Sequence, residues 1–137
     1  MAAIGSATLT RLVRARDLLH AEARRGPSLD ELATTAGLSR AHMIRQFART
    51  FGVPPHRYLV RLRLDEAKRA LAAGASVTDA CLDAGFASLG TFSASFHRRV
   101  GVSPREWQRQ VRPFVQSLGI PALRVPACYW LHFVKHV

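Results

Sequence analysis

The feature that most constrains the fold of this 137-residue chain is an internal repeat. Ala36-Gly37-Leu38 recurs as Ala84-Gly85-Phe86 at an offset of 48 residues. At an offset of 49, two aromatic residues, a Gly-Val pair and a proline recur: Phe47, Gly52-Val53, Pro55 and Tyr58 match Phe96, Gly101-Val102, Pro104 and Trp107. The second copy therefore has one extra residue between its glycine turn and its first aromatic residue. Such a repeat indicates one supersecondary unit present twice.

Apolar residues recur at helical spacing through both copies, and serine, glycine and proline residues mark the helix ends. The pattern predicts about seven helices, at residues 8–25, 28–36, 39–51, 55–73, 76–84, 89–100 and 103–112. Pro113 is expected to break the last helix. No strand pattern occurs before residue 113, so the predicted fold class is all-α.

The residues expected in the core lie on helix faces opposite the arginines. On the first helix they are Leu9, Leu12, Val13 and Leu19. Over the rest of the repeat they are Leu32, Met43, Phe47, Tyr58, Leu62, Ala67, Leu82, Phe86, Phe92, Phe96 and Trp107.

A short helix, a glycine turn and a second helix form the helix-turn-helix pattern, whose second helix enters the major groove in DNA-binding proteins. The predicted linker helix at 55–73 would be ~28 Å long at ~1.5 Å per residue. Successive major grooves on one face of DNA lie ~34 Å apart, so two units on one chain could read adjacent grooves. A helical bundle with a duplicated hairpin is the alternative.

The chain carries 20 basic and 9 acidic residues, a net charge of +11, which favours a polyanionic partner. All the basic residues except Lys68 and Lys135 are arginines, a skew that genomic base composition can also produce. The arrangement of the arginines therefore matters more than their number. Residues 39–63 hold six arginines and no acidic residue.

The second copy, DACLDAGFASLGTFSASFHRRVGVSPREWQ, resembles the DNA-binding domain of the AraC/XylS family of bacterial transcription regulators. The first copy, SLDELATTAGLSRAHMIRQFARTFGVPPHRYL, resembles the more variable half of that domain. The resemblance covers residues 8–112, with a first unit at about 8–53, a linker helix at 55–73 and a second unit at 76–112. Residues 1–7 form an N-terminal tail, and residues 113–137 form an apolar extension of unknown role.

The resemblance implies two helix-turn-helix subdomains joined by a rigid helix, which bind one promoter site on double-stranded DNA. Members of the family mostly activate transcription, often by contacting RNA polymerase. Many carry an effector-binding domain before this module. Since about seven residues precede the match, we expect a stand-alone member without that domain, which binds DNA as a monomer.

On the first recognition helix, the positions that face bases in the family are Ala41, Ile44, Arg45 and Ala48. Arg45 is the strongest candidate for base readout because a guanidinium can bond guanine O6 and N7 together, and alanine or isoleucine can contact thymine methyl groups. The candidates for phosphate contact are Ser39, Arg40, His42, Gln46 and Arg49. His42 and Gln46 could contact bases instead.

On the second recognition helix, the expected base-facing positions are Leu89, Gly90, Thr91, Ser93 and Ala94, none of which is a long polar residue. Thr91 and Ser93 can bond a phosphate or a base edge, and Leu89 can offer an apolar contact. Arg98 and Arg99 would supply phosphate contacts. We expect this half to contribute anchoring and shape readout more than base readout.

A sequence-specific regulator has two alternatives. The first is an architectural protein that bends DNA with little sequence preference. The second is an enzyme, which we do not expect because the chain has no Ser/His/Asp order, paired carboxylates or phosphate-binding glycine loop. Neither Cys81 nor Cys128 has a clear activating context for alkyl transfer.

No cofactor and no metal are predicted. Cys128, His132 and His136 would share one helix face, but three ligands leave a metal site incomplete. Two cysteines do not make a disulfide framework, which favours the cytoplasm. The first ten residues lack a signal peptide's pattern and no apolar run reaches ~18 residues, so we expect no membrane association.

Overall fold

The computed structural model of the protein describes residues 4–119. Within that range the chain forms seven α-helices and no strand, which confirms the all-α prediction. The helices are α1 (Ser6–Ala21), α2 (Leu29–Ala36), α3 (Arg40–Phe51), α4 (Pro55–Ala72), α5 (Val77–Asp83), α6 (Leu89–Val100) and α7 (Pro104–Leu118). The packing divides the chain into two units between Leu62 and Arg63, so α4 contributes its first part to unit 1 and its last part to unit 2.

Serine side chains begin five of these helices. Each serine Oγ accepts a hydrogen bond from the backbone N–H three residues later, at Ser28, Ser39, Ser76, Ser88 and Ser103. This bond satisfies one of the N–H groups that the first helical turn leaves without a partner. Helix α4 begins differently, with Pro55 at its first position, where a missing N–H costs nothing.

The core of unit 1 is built by α1, α2, α3 and the first part of α4. Its buried members are Leu12, Ala15, Leu19, Leu32, Ala33, Ala36, Met43, Phe47 and Leu59. Leu62 and Tyr58, both predicted core residues, are only partly buried against this cluster. Tyr58 keeps its hydroxyl accessible, and the oxygen lies 2.9 Å from Nε2 of His20.

The core of unit 2 is built around a row of aromatic rings. Ring centroids are 5.1 Å apart for Phe86 and Phe92, 5.7 Å for Phe92 and Phe96, and 5.9 Å for Phe96 and Trp107. Leu64, Ala67 and Leu71 of α4, with Val111 and Val115 of α7, are also buried in unit 2. Together these side chains fix α6 by one face, so its opposite face is accessible.

The turns after α2 and α5 show where the extra residue of the second copy lies. Leu38 and Phe86 each donate their backbone N–H to the carbonyl five residues earlier, at 3.1 Å in both cases. Gly37 and Gly85 have positive φ values of 62° and 93°, which glycine adopts without strain. Ser39 follows Leu38 directly, whereas Ala87 separates Phe86 from Ser88. The insertion is therefore Ala87, in the turn before α6.

Two predicted core residues are instead exposed. Leu82 is 56% exposed because α5 buries Ala80, Cys81 and Ala84, which share one face, and the helical period places Leu82 on the other side of the helix. Leu9 is 42% exposed because the buried stripe of α1 begins only at Leu12. In both cases the apolar pattern extends beyond the surface that the core covers.

The ends of the first and last helices also differ from prediction. Helix α1 ends at Ala21 rather than at residue 25, since residues 22–25 form a turn in which Gly26 donates to the carbonyl of Glu22 at 2.9 Å.

The expectation that Pro113 breaks the last helix is wrong, because α7 continues to Leu118. Pro113 lies on the exposed side of the helix, where the carbonyl that loses its bond can meet water. Val111 and Val115 on either side are buried and hold both turns against the core.

Gln108 joins α7 to the end of α4, and we expect its removal to destabilise unit 2. Its side-chain Nε2 donates to the backbone carbonyls of Leu71 at 2.9 Å and Ala75 at 2.7 Å. Gln108→Ala should lower the free energy of unfolding in urea by about 1–3 kcal/mol, because two partly buried carbonyls lose their partner. Gln116→Ala, at an exposed position of the same helix, is the control and should change it little. An equal loss in both variants would contradict this role for Gln108.

Glu31 should make part of the stability of unit 1 depend on acidity. The side chain of Arg25, followed by the backbone N–H of Ser28, lowers the pKa of Glu31 to about 2. Since the folded pKa lies below the ordinary 4.5, the stabilisation is present above pH 4.5 and is lost as the pH falls towards 2.

The melting temperatures of the wild type and of Glu31→Gln should therefore differ most above pH 5 and converge on acidification. Glutamine keeps a capping acceptor, so the substitution removes mainly the charge. A difference that stays constant from pH 6 to pH 2.5 would contradict the assignment.

Candidate nucleic-acid interface

In unit 1, α2, the turn at Gly37 and α3 form a helix-turn-helix. Helix α3 buries Met43 and Phe47 and packs Ile44 and Phe51 partly against the core, so its opposite face is available to a partner. Of the four predicted base-contacting residues, Ala41 and Arg45 are exposed, and Ile44 and Ala48 are partly exposed. These four lie at spacings of three and four residues, which places them along one side of the helix.

Arg45 is the long polar side chain of that row. Within residues 4–119 its guanidinium has no hydrogen-bonding or ion-pair partner, so all its donors remain available. Arg49, one turn further along, is also exposed. Arg40 lies 3.8 Å from Asp30, with both side chains mostly exposed, which is a weak interaction that phosphate could replace.

The other predicted phosphate contacts on α3 are at or near its start. Ser39 uses its Oγ to accept the backbone N–H of His42 at 3.3 Å, which leaves its hydroxyl proton available. His42 is exposed and Gln46 is partly exposed. The structure therefore brings all nine predicted residues of this unit to α3 or its cap, and all are accessible to solvent.

The arginine-rich segment at residues 39–63 continues into α4, but not all of its arginines are fully exposed there. Arg57 is exposed, whereas Arg61 and Arg63 are partly buried. Burial lowers the pKa of Arg63, although an arginine remains charged at neutral pH. The concentrated positive surface of unit 1 is therefore α3 with the start of α4.

In unit 2, α5, the turn at Gly85 and α6 form the second helix-turn-helix. Helix α6 buries Phe92, Phe96 and Val100. Leu89, Gly90 and Thr91 are exposed and Ser93 is partly exposed. A Cβ added at Gly90 would meet no atom within 4 Å, so the backbone is open at that point.

The hydroxyl groups at the start of α6 form a small network. Ser88 Oγ accepts the backbone N–H of Thr91 at 3.2 Å and donates to Thr91 Oγ1 at 2.9 Å. The Thr91 hydroxyl proton is then free to point outwards, so Thr91 presents a donor. This polarity suits an acceptor such as a phosphate oxygen.

The equal lengths of α3 and α6 give a residue-by-residue register between the two units. Both helices have 12 residues, begin after a capping serine and end before a glycine with positive φ, Gly52 at 82° and Gly101 at 92°. An offset of 49 therefore relates every position of α3 to one of α6. The row Ala41, Ile44, Arg45 and Ala48 corresponds to Gly90, Ser93, Ala94 and His97.

This register adds one candidate residue that the sequence prediction did not include. His97 is exposed and takes the place of Ala48, whereas Ala94 takes the place of Arg45. The 49-residue offset was visible in the sequence and could have identified His97. The long polar side chain of the row, Arg45 on α3, is thus replaced on α6 by His97, which lies three residues, about 4.5 Å, further along the helix.

Arg98 and Arg99, predicted to contact phosphates, are both exposed at the end of α6. Arg98 corresponds to Arg49 of α3. Arg99 lies close enough to buried Lys68 to influence it: burial lowers the pKa of Lys68, Asp65 raises it, and Arg99 lowers it further. Because Lys68 is buried and Asp65 offsets its charge, the outward positive charge at this end of α6 comes from Arg98 and Arg99.

The described part of the chain offers no metal-binding cluster of His, Cys, Asp and Glu side chains. Cys128, His132 and His136, the three possible metal ligands, lie outside the described residues. The same holds for Cys128 as a candidate for alkyl transfer. Cys81 is buried, with Sγ 3.6 Å from the carbonyl oxygen of Ser88, and burial raises the pKa of its thiol. A thiol in this state is a poor nucleophile.

None of the helices between residues 4 and 119 has the length and apolar character needed to span a bilayer.

Comparison with known proteins gives one consistent family. Residues 32–110, more than half of the chain, match the helix-turn-helix domain family. The chain is 39% identical over 88 residues to the transcriptional activator RhaS of Shigella boydii, covering 64% of this chain and 32% of that protein. The chain spans about a third of the length of the curated relatives that it matches.

Two solved structures show the same architecture. An AraC-type DNA-binding domain protein from Chromobacterium violaceum has a TM-score of 0.69 and 29% identity, covering 79% of this chain and 96% of that one. The DNA-binding domain of AdpA, solved with a target DNA, has a TM-score of 0.62 and 25% identity, covering 80% and 96%. With two helix-turn-helix units and a family match over residues 32–110, the chain belongs to the family of AraC-type helix-turn-helix DNA-binding domains of bacterial transcription regulators.

Proposed function

We propose that the chain binds a defined promoter sequence in double-stranded DNA through α3 and α6, each inserted in a major groove, and regulates transcription there. The observation that carries the proposal is the accessible side of α3, where Arg45 has no competing partner in the described chain and no acidic residue occurs between positions 39 and 63. Arginine on an outward row of a helix can bond guanine O6 and N7. The solved AdpA domain, which is in complex with a target DNA, supports binding to double-stranded DNA.

Each chain carries both recognition helices, so we propose that it binds as a monomer. The 18 residues of α4 correspond to about 27 Å, which is compatible with the ~34 Å between successive major grooves. The proposed role is activation of transcription, in line with the name of the relative RhaS, a transcriptional activator. The activation would act through contact with RNA polymerase in the cytoplasm, where bacterial DNA lies.

Within this proposal the two units contribute differently. Helix α3 carries Arg45 in its outward row, and α6 carries alanine at the corresponding position. Most hydrogen-bonded base readout should therefore come from unit 1. Arg98 and Arg99 add phosphate contacts in unit 2, which strengthen binding to any sequence.

A selection from a random duplex library tests the proposal. We expect one enriched motif with two half-sites about one helical turn apart. The enriched and scrambled duplexes are then compared across a range of salt concentrations. Equal affinity and equal salt slope for both would favour the architectural DNA-bending alternative and would contradict sequence-specific regulation.

Arg45→Ala should weaken binding to the selected site by about 1–3 kcal/mol and relax the preference at one base pair, because one bidentate contact is lost. Affinity is measured on the selected duplex and on its single-base variants. Arg11→Ala, an exposed arginine of α1, controls for the loss of one positive charge. A uniform loss on all duplexes would instead make Arg45 a phosphate contact.

Arg98→Ala should weaken binding to selected and scrambled DNA alike and reduce the slope of log affinity against log salt by about 1, since one phosphate contact and its released counterion are lost. Arg105→Ala, an exposed arginine of α7, provides the comparison. A change in base preference without a change in slope would rule out the phosphate role.

A further inference from the structure

We propose that Asp30 is a positioning residue for DNA binding, which competes with the DNA backbone for Arg40 and so limits how tightly unit 1 binds any sequence. This inference rests on the proposed DNA binding and deepens it, because it assigns a role to an acidic residue outside the recognition helices. The observation that carries it is an ion pair between the two helices of the first helix-turn-helix, formed by Asp30 of α2 and Arg40 of α3.

The ion pair holds the side chain of Arg40 towards α2. Arg40 is the first residue of α3, and its Nη1 lies 3.8 Å from Oδ1 of Asp30 in the first turn of α2. Both side chains are mostly exposed, so water screens their attraction and the pair opens at little cost. A phosphate oxygen can then take the place of the carboxylate on the same guanidinium.

Within residues 4–119, Arg40 is the ion-pair partner of Asp30, because the arginine beside the neighbouring Glu31 is already used. Arg25 donates to both carboxylate oxygens of Glu31, at 3.2 and 2.9 Å, and also to Glu22. When Arg40 turns to a phosphate, Asp30 is therefore left as an unpaired negative charge beside the DNA backbone. The lost ion pair and the repulsion of the phosphate both oppose the contact that Arg40 makes.

The second copy of the repeat lacks both members of the ion pair. The offset of 48 residues between α2 and α5 places Thr78 at the position of Asp30, and the offset of 49 between α3 and α6 places Leu89 at the position of Arg40. The acidic residue is thus present in the unit that has the arginine and absent in the unit that lacks it. This pattern fits a carboxylate whose role depends on Arg40.

Asp30 is not needed to begin its own helix. The third helical position carries an acidic residue in both copies, Glu31 in α2 and Asp79 in α5, each three residues after a capping serine. Glu31 completes a capping box with Ser28, so the first turn of α2 already has a negative charge and a satisfied N–H group. Asp30 is therefore an additional charge, and its partner lies on the recognition helix.

Binding of Asp30→Asn to DNA across a range of salt concentrations tests the proposal. Asparagine keeps the shape of the side chain and removes its charge. The variant should bind the selected and the scrambled duplex about two- to fivefold more tightly at low salt, the range expected of one exposed ion pair. The slope of log affinity against log salt should become steeper by up to about 1, because no cation is needed to accompany the released carboxylate. Unchanged affinity and slope would overturn the proposal.

A double-mutant cycle separates competition for Arg40 from a general effect of charge. In the wild-type background, Asp30→Asn removes both the competing ion pair and the repulsion of the phosphate. In the Arg40→Ala background only the repulsion remains to be removed, so the gain in affinity should be smaller. An equal gain in both backgrounds would show that Asp30 acts on the DNA directly and would contradict its action through Arg40.

Asp79→Asn is the matched control, since it removes an exposed acidic residue from the first turn of α5, in the unit whose recognition helix begins with leucine. It should leave the salt slope unchanged. Asp30→Glu should bind as the wild type does, because it keeps the carboxylate. Equal melting temperatures of the variants would exclude a change in folding as the cause, and a gain in Asp79→Asn as large as in Asp30→Asn would count against the specific pair.

The outcomes separate this inference from the proposed function. A library that yields no preferred sequence would overturn sequence-specific regulation, whereas competition for Arg40 would still be measurable on random DNA. A preferred sequence whose binding is the same in the wild type and in Asp30→Asn would overturn the role of Asp30 alone.

Discussion

The contact on which each unit depends is an edge-to-face pair of aromatic rings. In unit 1, the centroids of Phe47 and Tyr58 are 5.5 Å apart and the rings are nearly perpendicular, at 89°. In unit 2, Phe96 and Trp107 take the same places, at 5.9 Å and 73°. Each pair joins a recognition helix to the helix that a proline opens after it, and edge-to-face packing of this kind is favourable beyond the area it buries. By fixing which face of α3 and α6 is buried, the pair also fixes which residues face outwards.

These same aromatic residues explain why much of the fold could be predicted. The repeat was recognisable because the landmarks at the 49-residue offset are those that pack the units and end their helices. Serine caps and glycine turns mark helix ends by local hydrogen bonding and backbone conformation, both of which are written in short stretches of sequence. Errors arose where tertiary packing decides. Leu82 and Leu9 fit an apolar pattern that no neighbouring element covers, and Val111 and Val115 hold α7 together across Pro113.

The candidate site was predictable in part for a related reason. The buried residues Met43 and Phe47 leave the row containing Arg45 on the outside, so periodicity alone could indicate it. His97 was not predicted because the expected base-facing positions of the second recognition helix were confined to its first turns, where small residues predominate. Its place became clear once the cap-to-cap lengths of α3 and α6 established the register. The hydroxyl polarity of Ser88 and Thr91 depends on side-chain rotation, which no sequence pattern specifies.

The register between α3 and α6 has a consequence for the arrangement of the protein on its DNA. Two copies of one scaffold present different side chains at matching places, arginine against alanine at 45 and 94, and alanine against histidine at 48 and 97. Under the proposed function, the two half-sites must then differ in sequence, and the whole site is not a palindrome. Such a site has a direction, and reversing it would turn the protein end for end. The orientation of the site in a promoter would therefore decide which unit lies nearer the start of transcription.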